Sequence, residues 1–305
     1  GVAQWLDAVH SSDAPNLYPV DPIAHFLASL IEEAFDEFGL YMVHHNRWVT
    51  SARDTRMGAT TAAEFSKLFP GPIATKMGKS ITHRQVRRCP YIFSVAPAGY
   101  SENVEPELVP PHRDGFPPTH DLLNQSWLTY LSAMESLLHQ QPFLLGHRFT
   151  IADASAYGQL SMNLIDPSAA RLIKQRAPRV FKWLNYIRNG HQDHSRGDLK
   201  LTSALSPLLK IVGQTFLPLM QQNEAAYEEA VAAGETVFNE AAFDENRALY
   251  EGTLMGHPFK SVVKTFQVRV WRDLKVEWDK LGRKEPLNPA SLMRLLAEVF
   301  PPATS

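Results

Sequence analysis

PFLLGHRFTIADASAYGQL, residues 142–160, places Thr150 three residues ahead of Asp153 at the head of an apolar run. That is the spacing of a capping box. The threonine hydroxyl can accept from the backbone amide of Asp153, and the Asp153 carboxylate can reach back to the amide of Thr150. A negative charge there also suits the positive end of the helix dipole. Loss of such a cap costs about 0.5–2 kcal/mol, so Thr150 and Asp153 read as a structural helix cap rather than as catalysts.

Working outward, Leu123, Trp127, Leu131, Met134 and Leu138 recur at steps of three and four, and a second stripe runs from Ala152 through Tyr157, Leu160 and Leu164. Further helices are expected over 178–187 and 203–233. Upstream, Asp21 followed by Pro22 is a helix start, because aspartate accepts from orphan amides and proline suits the first helical position. Phe26, Leu27, Leu30, Ile31, Ala34, Phe35 and Phe38 then continue an apolar stripe to about Trp48, across Gly39. Val2, Trp5, Leu6 and Val9 form a shorter helical pattern, followed by turn-rich SSDAPNLYPVDP. Between 50 and 118 the pattern predicts a helix over 60–69, a basic stretch from Lys76 to Arg88 and a Pro- and Gly-rich loop from 95 onward. After Gly234, two β-prone runs flank LMGHP and predict a small hairpin. Phe266, Val270, Leu274, Trp278 and Leu281 predict a helix over 262–281, and a last short one follows over 292–300. The fold class is mainly α: a helical bundle with a C-terminal extension containing a small β-hairpin.

The segment 142–160 is followed by APRVFKWLNYI at 177–187. The combination of Phe143–Gly146, the Thr150–Asp153 cap and Pro178-x-Val180-x-x-Trp183 resembles the all-helical C-terminal domain of the glutathione S-transferase family. DPIAHFLASLIEEAFDEFGLYMVHHNRW, residues 21–48, is similar to that family's first C-domain helix, and VAQWLDAVH to the last helix of its thioredoxin-like domain. The resemblance implies three parts: residues 1–20 as a remnant of the thioredoxin-like domain with its linker, 21–220 as the helical domain, and 221–305 as an extension packed on it. It also places the glutathione-binding acidic-Ser pair and the catalytic Tyr, Ser or Cys ahead of Gly1, so no catalytic residue is expected in this chain. Glutathione is expected as a co-substrate held by that other domain.

By the same resemblance, the end of the first helix lines the pocket for a small hydrophobic electrophile. Tyr41, His44 and Trp48 are then expected to touch it, and Arg47 or His45 to orient a polar group on it. The ordinary alternative is interdomain packing. The resemblance implies a homodimer in the cytoplasm. The rival reading is a non-catalytic helical binding or scaffold module, since fold does not fix function.

Composition narrows the field. The 305 residues hold 30 basic and 32 acidic side chains and carry a formal charge of −2, which gives no general attraction to nucleic acid or to an anionic membrane. No apolar run approaches the roughly 20 residues needed to span a bilayer. One cysteine, Cys89, makes neither an internal disulfide nor a thiolate zinc site. His44 and His45 point about 100° apart on a helix, and His191 and His194 of HQDH lie in a polar stretch, so no metal is expected. Glu32, Glu33, Asp36 and Glu37 read as a solvated helix face, and the basic residues Lys76, Lys79, Arg84, Arg87 and Arg88 as a solvated loop.

Overall fold

A computed structural model describes residues 5, 7–9, 16–194 and 196–301. Val2 and Leu6 of the opening pattern lie outside the described residues; residues 5 and 7–9 are helical, with Trp5 and Val9 exposed.

Helix α1 (Pro22–Glu33) starts as its sequence dictates: Asp21 accepts from the Ala24 amide at 2.9 Å, and Pro22 opens the first turn. The chain then widens into a π-helical segment (Ala34–Gly39), returns to α-helix α2 (Leu40–His45) and widens again over Asn46–Thr50. Each π segment resets the phase of the helix, and Phe35, Phe38, Tyr41 and Met42 all stay buried. Gly39 allows close packing, since a Cβ there would meet Phe35 at 3.3 Å and Gln159 at 3.6 Å.

Helices α3 (Met57–Phe65) and α4 (Gly71–Arg87) form a hairpin. The basic stretch expected as a loop is therefore largely helical. Two glycines set the approach: a Cβ on Gly78 would lie 2.4 Å from the carbonyl of Gly58, and one on Gly58 2.7 Å from the Thr82 hydroxyl. The passage 95–118 is loop, apart from a short 3₁₀ turn at Pro106–Leu108.

Helices α5 (His120–Leu137), α6 (Ile151–Ser161), α7 (Pro167–Arg176) and α8 (Pro178–Arg188) complete the middle of the bundle. A short strand β1 (Gly146–Arg148) pairs antiparallel with β2 (Arg196–Leu199). The sequence reading anticipated neither this pair nor α7, whose buried side chains are only Ala169 and Ile173. Helix α9 (Ser206–Ala232) runs through Pro218. The proline removes one backbone donor, but Leu208, Val212, Phe216 and Leu219 bury the helix on either side of it. Position 220, expected as a domain boundary, falls inside this helix.

Past a short helix α10 (Glu240–Asp244), the expected hairpin is present as β3 (Leu249–Leu254) and β4 (His257–Val262), paired from Leu249↔Val262 to Leu254↔His257. Its two turn residues, Met255 and Gly256, both have positive φ, 50° and 82°, as a two-residue turn matched to strand twist requires. Helices α11 (Thr265–Lys280) and α12 (Pro289–Val299) close the chain. Trp271, Trp278, Leu292 and Phe259 belong to the same buried core as Phe26, Leu27 and Tyr130. Phe26 and Trp278 pack with ring centroids 5.3 Å apart, and the Trp278 indole donates to the carbonyl of Glu285 at 2.8 Å.

The Thr150–Asp153 capping box heads α6 as its spacing predicts. Asp153 is fully buried; its carboxylate accepts from the Thr150 amide at 3.0 Å, the Thr150 hydroxyl at 2.9 Å and the Leu144 amide at 2.8 Å. The bond to Leu144 ties the preceding turn to the helix. Replacing Asp153 by Asn keeps the shape but turns a donor toward donors, so it is expected to cost about 2–4 kcal/mol in urea unfolding. A change under about 0.5 kcal/mol would show that this carboxylate does not hold the turn.

Candidate functional site

A cleft of about 510 Å³ opens between α3, α4 and the loop carrying Val104 and Leu108. It exists because Gly58 and Gly78 bring the two helices together at one level while the loop closes the side. Val104 and Leu108 supply apolar wall; Arg53, Lys79 and His83 supply cationic or protonatable edge, and Glu105 the carboxylate. This mixture suits a small molecule with an apolar body and a polar or anionic group.

Tyr41, His44, His45, Arg47 and Trp48 are not among the residues lining this cleft; three of them stand behind it. Trp48 is buried with Val49, Val86, Cys89 and Ala96, and Met57, Tyr100 and Leu108 pack on that cluster. His44 reaches Gln85 of α4 with its Nε2 3.4 Å from Oε1. Arg47 donates from Nε to Asp166 at 2.9 Å and from its guanidinium to the carbonyl of Met162. The other oxygen of Asp166 accepts from the hydroxyl of Thr55, itself in the cleft wall, at 2.7 Å.

Tyr41 and His45 face elsewhere. The Tyr41 hydroxyl accepts from Gln267 of α11 at 2.8 Å, and its ring stacks on Phe93. His45 is buried between Ser94 (Nδ1 to Oγ, 2.7 Å) and His120 (Nε2 to Nδ1, 2.9 Å), and His120 continues to Asn124 at 3.0 Å. Burial holds His45 well below the usual histidine range and brings His44 down to about 4, so both rings are neutral near pH 7. Burial pushes the Cys89 thiol up to about 12, so the resting fold does not present it as a thiolate.

The acidic face on α1 departs from expectation. Asp36 is exposed, but Glu32, Glu33 and Glu37 are half-buried. Burial first, and mutual repulsion with the neighbouring carboxylates second, raises Glu33 to about 8; burial raises Glu32 and Glu37 to about 7. Among the described residues no group of three or more His, Cys, Asp or Glu side chains is placed to hold a metal ion. The side chains of Asp193 and His194 in HQDH lie outside the described residues. No described helix is long and apolar enough to cross a membrane.

The sequence reading missed Arg53, Lys79 and His83 as one site. The available signal was a run from 71 to 88 with no acidic residue at all and two glycines twenty residues apart. Their convergence required knowing that the run is a helix folded back on another.

A folded-state pKa raised above the unfolded one gives stability that is present below the unfolded value, near 4.5, and lost as pH rises through the folded value. For Glu33 that window runs from about 4.5 to about 8. Glu33→Gln is therefore expected to match the wild type in thermal midpoint near pH 4 and to exceed it increasingly up to about pH 8.5. Parallel midpoints across that range would mean that Glu33 is fully solvated.

Residues 118–192 match the family model described as glutathione S-transferase, C-terminal domain. Comparison with curated proteins and with solved structures finds no match. The matched span runs from just before α5 into the turn after α8 and includes the Thr150–Asp153 cap and Pro178–Trp183. Within a mainly helical fold, residues 118–192 of this chain are thus similar to the C-terminal domain of the glutathione S-transferase family.

Proposed function

We propose that this chain is the electrophile-binding half of a glutathione S-transferase-like enzyme, with glutathione held by a thioredoxin-like domain that this sequence does not contain. The observation that carries the reading is the cleft between α3, α4 and the Val104–Leu108 loop, in a chain that matches the family over 118–192. In the proposed reaction the glutathione thiolate attacks an electrophilic carbon; a carbon–sulfur bond forms and the leaving group departs with its electron pair. Val104 and Leu108 hold the apolar body of a small hydrophobic electrophile, which fixes the angle of attack. Lys79 or Arg53 stabilises negative charge developing on its polar group. Trp48, His44 and Arg47 act on the substrate through the wall they support, and Tyr41 and His45 through the packing of α2. A homodimer working in the reducing cytoplasm completes the proposal.

The second reading, a non-catalytic binding module, draws on a specific observation: Tyr41, His45 and Arg47 direct their polar atoms to other parts of the protein. Two measurements separate the readings. Calorimetry with glutathione is run on this chain and on a form extended at its N-terminus by a thioredoxin-like domain, and conjugation of 1-chloro-2,4-dinitrobenzene is followed by absorbance. The enzyme reading expects binding and turnover only in the extended form, with Lys79→Ala lowering kcat/KM about tenfold, or about 1.4 kcal/mol, and Leu108→Trp raising KM by filling the cleft. No glutathione binding by either form would transfer the assignment to the module.

A further inference from the structure

A second cleft, of about 490 Å³, lies between α1 and α11. One wall receives Ser29, Glu32 and Glu33 from α1 and Asp36 from the π segment that follows it. From α11 come Phe266, Val270 and Leu274 as an apolar strip, flanked by Asp273 and Glu277. Five carboxylates thus face one guanidinium, Arg269, which lies over the Phe266 ring at 4.6 Å.

The carboxylates are incompletely balanced. Tyr18 places its hydroxyl 2.9 Å from both oxygens of Glu32, Asp36 lies 2.7 Å from the Ser155 hydroxyl, and Glu277 is 3.6 Å from the His25 ring. The other oxygen of Glu277 is buried without a partner among the described residues. So is the hydroxyl of Ser29, a residue only 5% exposed that lines the cleft. A buried hydroxyl left unpaired costs about 1–3 kcal/mol unless something supplies its bond. These acids follow the length of the cleft and do not converge on one point, and no three of them are placed around a single metal ion.

We propose that this cleft binds a linear aliphatic polyamine. Ammonium groups separated by three or four methylenes stand about one helical turn apart, which is the pitch at which Asp273 is followed by Glu277 on α11; opposite them Glu32 and Glu33 end α1 and Asp36 follows in the π segment. The methylenes lie along Val270 and Leu274, one ammonium group reaches the Phe266 ring, and another donates to the Ser29 hydroxyl and the free oxygen of Glu277. Burial first, and neighbouring carboxylates second, hold Glu32 and Glu33 above the usual carboxylate range, and an ammonium group beside them offsets the repulsive part.

The test is calorimetric titration of spermidine into the full chain at low salt, with thermal midpoints recorded in parallel. Saturable one-to-one binding is expected, weakened about tenfold in Glu33→Gln/Asp273→Asn, weakened in Glu277→Gln, and unchanged in Glu228→Gln, an acid paired with Arg272 outside this cleft. These near-isosteric changes relieve repulsion, and the midpoint of each free variant reports that it is folded. Magnesium at equal concentration is expected not to displace spermidine. Absence of saturable binding at millimolar spermidine would overturn the proposal, as would equal binding by the double variant or displacement by magnesium. A tetralysine peptide binding more tightly through the same residues would overturn it in favour of a protein segment.

Discussion

A buried carboxylate at the head of a central helix is the constraint on which the rest of the bundle rests. Asp153 satisfies amides on both sides of the turn, one from Thr150 and one from Leu144, and so fixes where α6 begins and at what angle the chain enters it. Burial pushes this carboxylate up to about 7 against the pull of its three donors, which shows how fully the surrounding packing has closed over it. Helix α6 lies against α1 and the π segment that follows, and Ser155, two residues past the cap, bonds the carbonyl of Glu32. The position of the acidic face on α1 is thereby linked to the cap.

Charge is unevenly distributed in a chain that is nearly neutral as a whole. From Arg56 to Arg88 seven basic residues face one acid, and this segment forms the hairpin whose inner side makes the first cleft. The second cleft gathers acids from two helices far apart in sequence. Each asymmetry has an electrostatic cost that folding alone does not require, since alternating signs would stabilise both faces better. On the two proposals above, the basic surface serves anionic or electron-rich groups and the acidic one serves cations.

Polar atoms beneath the first cleft serve to position its walls. Arg47 and Asp166 form an ion pair with little exposure, joined by Thr55 and the carbonyl of Met162, and these added hydrogen bonds offset part of the cost of burying the two charges. Away from that cleft, His45 and His120 bridge Ser94 to Asn124 as neutral rings. Such satisfied networks specify one arrangement of the backbone, which a binding cleft needs if its shape is to select a ligand.

Local physics was legible in the sequence wherever one segment carried the whole signal. The Thr150–Asp153 spacing predicted the cap, Asp21–Pro22 the start of α1, and the turn chemistry at LMGHP the β3–β4 hairpin, because each depends on residues within a few positions of one another. The stripe from Phe266 to Leu281 predicted α11 on the same grounds. Helix α7 escaped notice because its apolar face holds two small contacts, and β1 with β2 because their partners lie some fifty residues apart. Neither cleft could be read in advance. Periodicity assigns each helix a face, but which face meets which is decided by packing of the whole core; only when Trp278 packs against Phe26, with Trp271 in the same core, do the acids of α1 and α11 come to share one groove.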